Sequence, residues 1–132
     1  MHRCAELIDR WGRAFPDAFY WLTSASDYGL REGWSLPTLF GRRIKIPVES
    51  TQWGGIDEAA MRRKGANYPI LGSDGEVIKR ALIICDKAKL PLAIEVHDSI
   101  VLDGDCEFPI AQLENITPFR VPFVVSKSSR WE

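Results

Sequence analysis

Two kinds of periodicity predict an α+β fold in which antiparallel β-hairpins pack against helices. Apolar residues recur at three-to-four spacing over 3–14 and 73–89, as they do on one face of a helix. Short apolar runs at 92–96 and 100–102 flank His97-Asp98-Ser99, the pattern of two strands joined by a tight turn. The chain has 132 residues, 45% hydrophobic and 27% charged, which suits a single unit spanning 1–132. These proportions exclude a disordered or collagen-like chain.

The elements follow in order. Residues 3–14 carry Cys4, Leu7, Ile8, Trp11 and Phe15 on one helical face. Pro16 interrupts this pattern and suits the first position of a second helix, since the missing N–H has no helical partner there. That helix carries Phe19, Tyr20, Leu22 and Ala25, read as core, and ends near Gly29 or Gly33. Residues 34–47 read as a β-hairpin turning near Gly41, with Arg43 and Lys45 on one face and Ile44 and Ile46 on the other. Residues 48–56 read as a loop, and 57–64 as a short helix ending at Gly65.

Ser73 with Glu76 three residues on has the form of a capping box, opening a helix over 73–89 that Pro91 stops. Its buried stripe is Val77, Ile78, Ala81, Leu82, Cys85 and Ala88. The hairpin at 92–102, a brief helix near 109–115 and a last strand at 121–126 complete the order ααββααββαβ.

Three widely separated cysteines and two histidines give no zinc-type spacing and no disulfide framework, and Cys85 reads as a buried thiol. No apolar run approaches a membrane span of about 18 residues, so no membrane partner is expected and a cytoplasmic location is. The net charge is −1, but its distribution is uneven. Residues 41–80 hold eight basic and five acidic side chains, whereas 91–118 hold six acidic and no Lys or Arg. Such asymmetry suits phosphates held near a divalent cation, although a solvated surface of mixed sign produces the same count.

His97-Asp98 is the sharpest local feature. Strands fix the backbone on either side while the turn exposes the carboxylate, which is a good placement for a metal ligand. Asp also favours turns because it hydrogen-bonds its own backbone, so the turn alone leaves both roles open.

Four segments, taken together, resemble the C-terminal part of a family A DNA polymerase, the bacterial DNA polymerase I type. Thr38-Leu39-Phe40-Gly41-Arg42-Arg43 with Pro47 is similar to that family's T-L-x-G-R-R-x-x-x-P hairpin. Arg63 to Asn67, with Pro69 and Gly72, is similar to its R-x-x-x-N-x-P-x-x-G stretch, and Ile78-Lys79-Arg80-Ala81 to its I-K-R-A. Val96-His97-Asp98 falls where the family has V-H-D-E, its motif C, and the order extends from Phe15-Pro16 to Val121-Pro122 and Trp131.

The resemblance implies the palm subdomain with part of the fingers, in an enzyme that adds deoxynucleotides to a primer 3′ end by two-metal phosphoryl transfer. It implies Asp98 as a catalytic ligand of Mg²⁺ (or Mn²⁺) and His97 as a residue near the primer terminus. It implies Arg63 and Asn67 as contacts to the template–primer duplex. Arg42, Arg43 and Lys64 join these as basic groups suited to DNA phosphates. The implied partners are primer–template DNA and deoxynucleoside triphosphates, and the implied location is the cytoplasm of a bacterial or phage-type system.

The sequence departs from the family at several positions. Ser99 stands where motif C has glutamate, Leu71 where the family has glutamine, and Asp57 and Glu58 where it has basic residues. Motifs A and B, which supply the second metal-binding aspartate and the nucleotide-binding helix, are not in these 132 residues. An upstream polymerase segment or subunit is therefore the expected partner, as for a split or truncated polymerase. The rival expectation is a non-catalytic DNA-binding remnant that uses Arg42, Arg43, Arg63 and Lys64 as a clamp.

Overall fold

A computed structural model describes residues 2–128, and Trp131 lies outside them. The fold is α+β, with helices and, among the described residues, one two-stranded antiparallel sheet. Contacts divide the chain into two compact units, Met1–Ser73 and Asp74–Glu132.

In the first unit, α1 (His2–Ala14) and α2 (Pro16–Glu32) are joined at Phe15. Pro16 opens α2, and Gly33 closes it in the left-handed conformation with φ of 67°, its N–H bonded to the Gly29 carbonyl. Trp11 packs against Phe15 and Phe19, each with ring centroids 6.1 Å away. The aromatic density read as core proves largely exposed: Leu7, Ile8, Trp11, Phe15, Phe19, Tyr20 and Trp21 all remain open to solvent. Helical periodicity identifies a face but not what covers it.

The segment 34–47 does fold back on itself, but not as two strands. Its regular pairing is one bridge, Trp34 to Lys45, supported by Ser35 N–H to the Ile44 carbonyl (2.8 Å) and Thr38 N–H to the Arg42 carbonyl (2.7 Å). Pro37 and Pro47 cannot donate to a ladder, and the Ser35 hydroxyl takes over as acceptor of the Ile44 N–H. The expected alternation still holds, with Ile46 buried, Ile44 half-buried, and Arg43 and Lys45 exposed.

The two expected helices at 57–64 and 73–89 are one continuous helix, α3 (Glu58–Lys87), running through Gly65, Pro69 and Gly72. Gly65 is expected to end the first of them, but here Gly65 and Gly72 face close neighbours. A Cβ on Gly65 would lie 2.7 Å from the Ala25 carbonyl oxygen and 3.1 Å from the Gly29 Cα. One on Gly72 would meet Ile44 at 2.7 Å and Thr38 at 2.8 Å. Ser73 therefore opens no helix: its hydroxyl donates to the Pro69 carbonyl (2.6 Å) and accepts the Leu39 N–H (2.8 Å). The residue that caps α3 is Asp57, whose carboxylate accepts the Ala60 N–H at 2.9 Å.

In the second unit, β1 (Leu92–Val96) pairs antiparallel with β2 (Ser99–Leu102), leaving His97-Asp98 as the turn. The core here is Ala81, Cys85 and Leu113, joined by Ile100 of β2, Phe108, Ile110 and Phe123. Burial pushes the Cys85 thiol above its ordinary value, consistent with its reading as a buried thiol. The brief helix is α4 (Ile110–Glu114). The expected strand at 121–126 is not formed: Phe123 reaches the core, but Val124 is 94% exposed. Pro122 lacks a ladder donor, and alternation without a partner strand does not make a strand.

Two outcomes follow from this packing. Gly65→Ala should destabilise the protein by about 1–3 kcal/mol by overpacking the α2–α3 contact. Gly75→Ala should stabilise it by about 0.5–1 kcal/mol, since nothing lies within 4 Å of its Cβ position and alanine favours the helix. Urea denaturation of both variants checks the pair. The second outcome concerns acid. Glu114 accepts bonds from Arg120 at 2.8 and 2.9 Å, and this pairing holds its carboxyl below the ordinary value. A carboxyl depressed in the folded state contributes stability above its unfolded pKa and loses it as pH falls through the folded one. Arg120→Ala should therefore lower the urea midpoint near neutrality and flatten its decline below about pH 4.5.

Candidate functional site

The turn between β1 and β2 is two residues long. His97 adopts φ of +55°, a left-handed conformation in which histidine is among the more tolerated side chains. Both His97 and Asp98 are exposed, as a hairpin tip should leave them. The Ser99 hydroxyl lies 3.5 Å from Asp98 Oδ1 and can donate to it. Among the described residues, no three His, Cys, Asp or Glu side chains converge as a metal cage. A divalent ion needs several oxygen ligands, so this donor set supplies one carboxylate and does not by itself fit the ion.

The basic candidates lie in the first unit, on two elements. Arg63, Lys64 and Asn67 are on α3, and because the helix is continuous, Arg63 and Asn67 stand one turn apart on one exposed face. At 100° per residue they lie about 160–200° from Gly65, on the side turned away from α2. Lys64 is ion-paired with Glu49, which raises its pKa chiefly through their hydrogen bond. Arg62, not among the sequence candidates, is paired with Asp27. Neither partner is close in sequence, so no local signal marks these pairs.

Arg42 and Arg43 follow Gly41, which turns the segment with φ of 89°. The Arg42 N–H donates to the Thr38 hydroxyl at 3.0 Å, tying the backbone of the turn. Arg43 donates from Nη2 to the Tyr28 hydroxyl, and its guanidinium carbon lies 5.3 Å from the Tyr28 ring centroid. Tyr28 was not singled out by sequence, and the fifteen-residue separation explains why. Glu58 begins α3, and Asp57 before it is committed to capping that helix.

Comparison with known proteins agrees with the resemblance read in the sequence. The chain is 29% identical over 130 residues to the thermostable DNA polymerase I of Thermus aquaticus, covering 90% of this chain and 15% of that protein. It is 26% identical over 140 residues to DNA polymerase I of Pseudomonas aeruginosa, covering 95% and 15%. It is 30% identical over 101 residues to the enzyme of Thermus filiformis, covering 74% and 12%. The chain thus spans about one-seventh of the length of the curated relatives it matches. No family model and no solved structure matches it. Among the described residues, no helix is long and apolar enough to cross a membrane.

Proposed function

We propose, for a chain homologous to a segment of the family A DNA polymerases of the bacterial DNA polymerase I type, that it forms the C-terminal palm portion, with part of the fingers, of such an enzyme. The reading is carried by similarity to DNA polymerase I along nine-tenths of the chain. The exposed His97-Asp98 turn, on the one hairpin where motif C is expected, supports it. In the complete enzyme, residues 1–132 act as one part in template-directed addition of deoxynucleotides to a primer 3′ end.

The roles divide by chemistry. Asp98 offers a carboxylate from a rigid turn, and His97 beside it offers a hydrogen-bonding ring near the primer terminus. Mg²⁺ or Mn²⁺, when bound in the complete site, supplies positive charge for phosphoryl transfer. Its remaining ligands come from the upstream segment that carries motif A. Arg63 and Asn67 contact the duplex through its minor groove and backbone, with Arg42, Arg43 and Lys64 adding phosphate contacts. Such contacts report little base identity, which suits an enzyme that must hold any sequence. Trp11, Phe15 and Phe19, packed together and exposed, present an apolar patch that suits burial against that same upstream segment.

The purified chain should show no template-directed incorporation. When an upstream segment with motifs A and B restores it, Asp98→Ala should reduce incorporation by at least about 100-fold, and Ser99→Ala should change it little. Primer extension on a labelled duplex checks this. Robust synthesis by the chain alone overturns the assignment, and restored duplex binding without incorporation favours the non-catalytic remnant.

Duplex binding should be weak and salt-sensitive, with a shallow salt slope because few phosphates are neutralised. Arg63→Ala should lower affinity for all duplex sequences to a similar degree. A fluorescence titration of primer–template at low salt decides the point. Curves identical to wild type return Arg63 to the role of a solvated helix residue.

A further inference from the structure

Tyr28 lies on α2 between two arginines. Arg43 donates to its hydroxyl, and the Arg43 guanidinium carbon is 5.3 Å from the ring centroid. Arg31, one turn along the same helix, has its guanidinium carbon 5.9 Å from the same centroid. The Arg43 Nε also points at the Ser35 carbonyl, at 3.5 Å. One ring therefore gathers two permanent cations that are twelve residues apart in sequence. We propose that Arg31, Tyr28 and Arg43 form one phosphodiester-binding site for duplex DNA, in which Tyr28 is a positioning residue that holds the two guanidiniums ready.

The physical argument concerns order. A long exposed arginine loses rotamer freedom when it grips a phosphate, and a side chain already held in place loses less. Two guanidiniums that both lie within about 6 Å of one ring centroid also repel each other. The negative face of the Tyr28 ring offsets that repulsion, and a bound phosphodiester oxygen removes it. Glu32 pairs with Arg31 at 2.8 Å, but both side chains are exposed, and such a pair exchanges readily for a phosphate. Both arginines are exposed to solvent, within reach of a phosphate.

The site deepens the proposed function and rests on it, so the test separates the two. Arg43→Ala, Tyr28→Ala, Tyr28→Phe and the Tyr28→Ala/Arg43→Ala double variant are titrated with a labelled primer–template at low salt. Arg43→Ala and Tyr28→Ala should each weaken binding by about threefold or more. The double variant should lose less than the product of the two single losses, since Tyr28 acts in part through Arg43 and for the rest through Arg31. Tyr28→Phe keeps the ring and loses only the hydroxyl, so it should recover part of the loss. The thermal midpoint of Arg43→Ala, at an exposed side chain, should stay within about 2 °C of wild type. Loss with Arg43→Ala but none with Tyr28→Ala overturns the positioning role while leaving the DNA surface intact. No measurable duplex binding by the wild type, or full additivity of the two changes, also overturns it. A parallel titration with dATP alone distinguishes the phosphate source: an effect of Tyr28→Ala on dATP but not on duplex assigns the cluster to the triphosphate instead.

Discussion

The first unit depends on one contact, the meeting of Gly29 and Gly65 backbone to backbone. A Cβ on Gly29 would fall 2.6 Å from the Gly65 Cα, so any side chain there forces α2 and α3 apart. Ile46 Cδ1 fills the remaining space at 2.7 Å from the same position, which places the end of the 34–47 segment against the crossing. Gly72 lies seven residues beyond Gly65, almost in line with it along α3, and receives Ile44 and Thr38. The same alignment turns Arg63 and Asn67 outward. Packing on one face of the helix and presentation of polar groups on the other are thus a single consequence of where glycine sits.

Pro69 tests that contact. A proline in a helix interior loses one hydrogen bond and crowds the carbonyl four residues back, at a cost of about 3 kcal/mol. The helix continues past it because burial of Pro69, Gly72 and their neighbours makes up the difference, and because Ser73 ties the next turn down. Its hydroxyl bridges the Pro69 carbonyl and the Leu39 N–H, so the turn of the 34–47 segment and the interior of α3 share one hydroxyl. A serine that looks like a helix start is here the link between two elements.

This explains how far the sequence could be read. The α1–α2 break at Pro16, the 92–102 hairpin and α4 are set by local chemistry and were legible, while the end of α2 was legible only as Gly29 or Gly33, of which Gly33 closes it. The continuity of α3 was not, because local propensity at Gly65, Pro69 and Ser73 opposes it and only tertiary contact overrides it. The strand at 121–126 failed for the opposite reason: its alternation was real, but a strand needs a partner edge that alternation cannot supply. For the candidate site, Asp98 in a turn and Arg63 with Asn67 on one helical face were legible as spacings. The Glu49 partner of Lys64 and the Tyr28 partner of Arg43 were not, since each spans fifteen residues.

Those long-range partners decide how the basic surface behaves. Of the run Arg62-Arg63-Lys64, the first is paired with Asp27 and the last with Glu49, whereas no ion pair joins Arg63 to a described residue. The local field of three cations is therefore largely that of one, carried by the side chain that shares its face with Asn67. Surface pairs of this kind, half-buried in the case of Lys64–Glu49, are worth about 1 kcal/mol and weaken with salt. A phosphate arriving near Lys64 competes with Glu49 under the same screening that weakens its own attraction. Salt consequently loosens the competitor along with the contact, and the net dependence on ionic strength falls below what counting lysines and arginines would give. The Asp57 carboxylate differs from these pairs, because it is committed to the Ala60 N–H and caps α3.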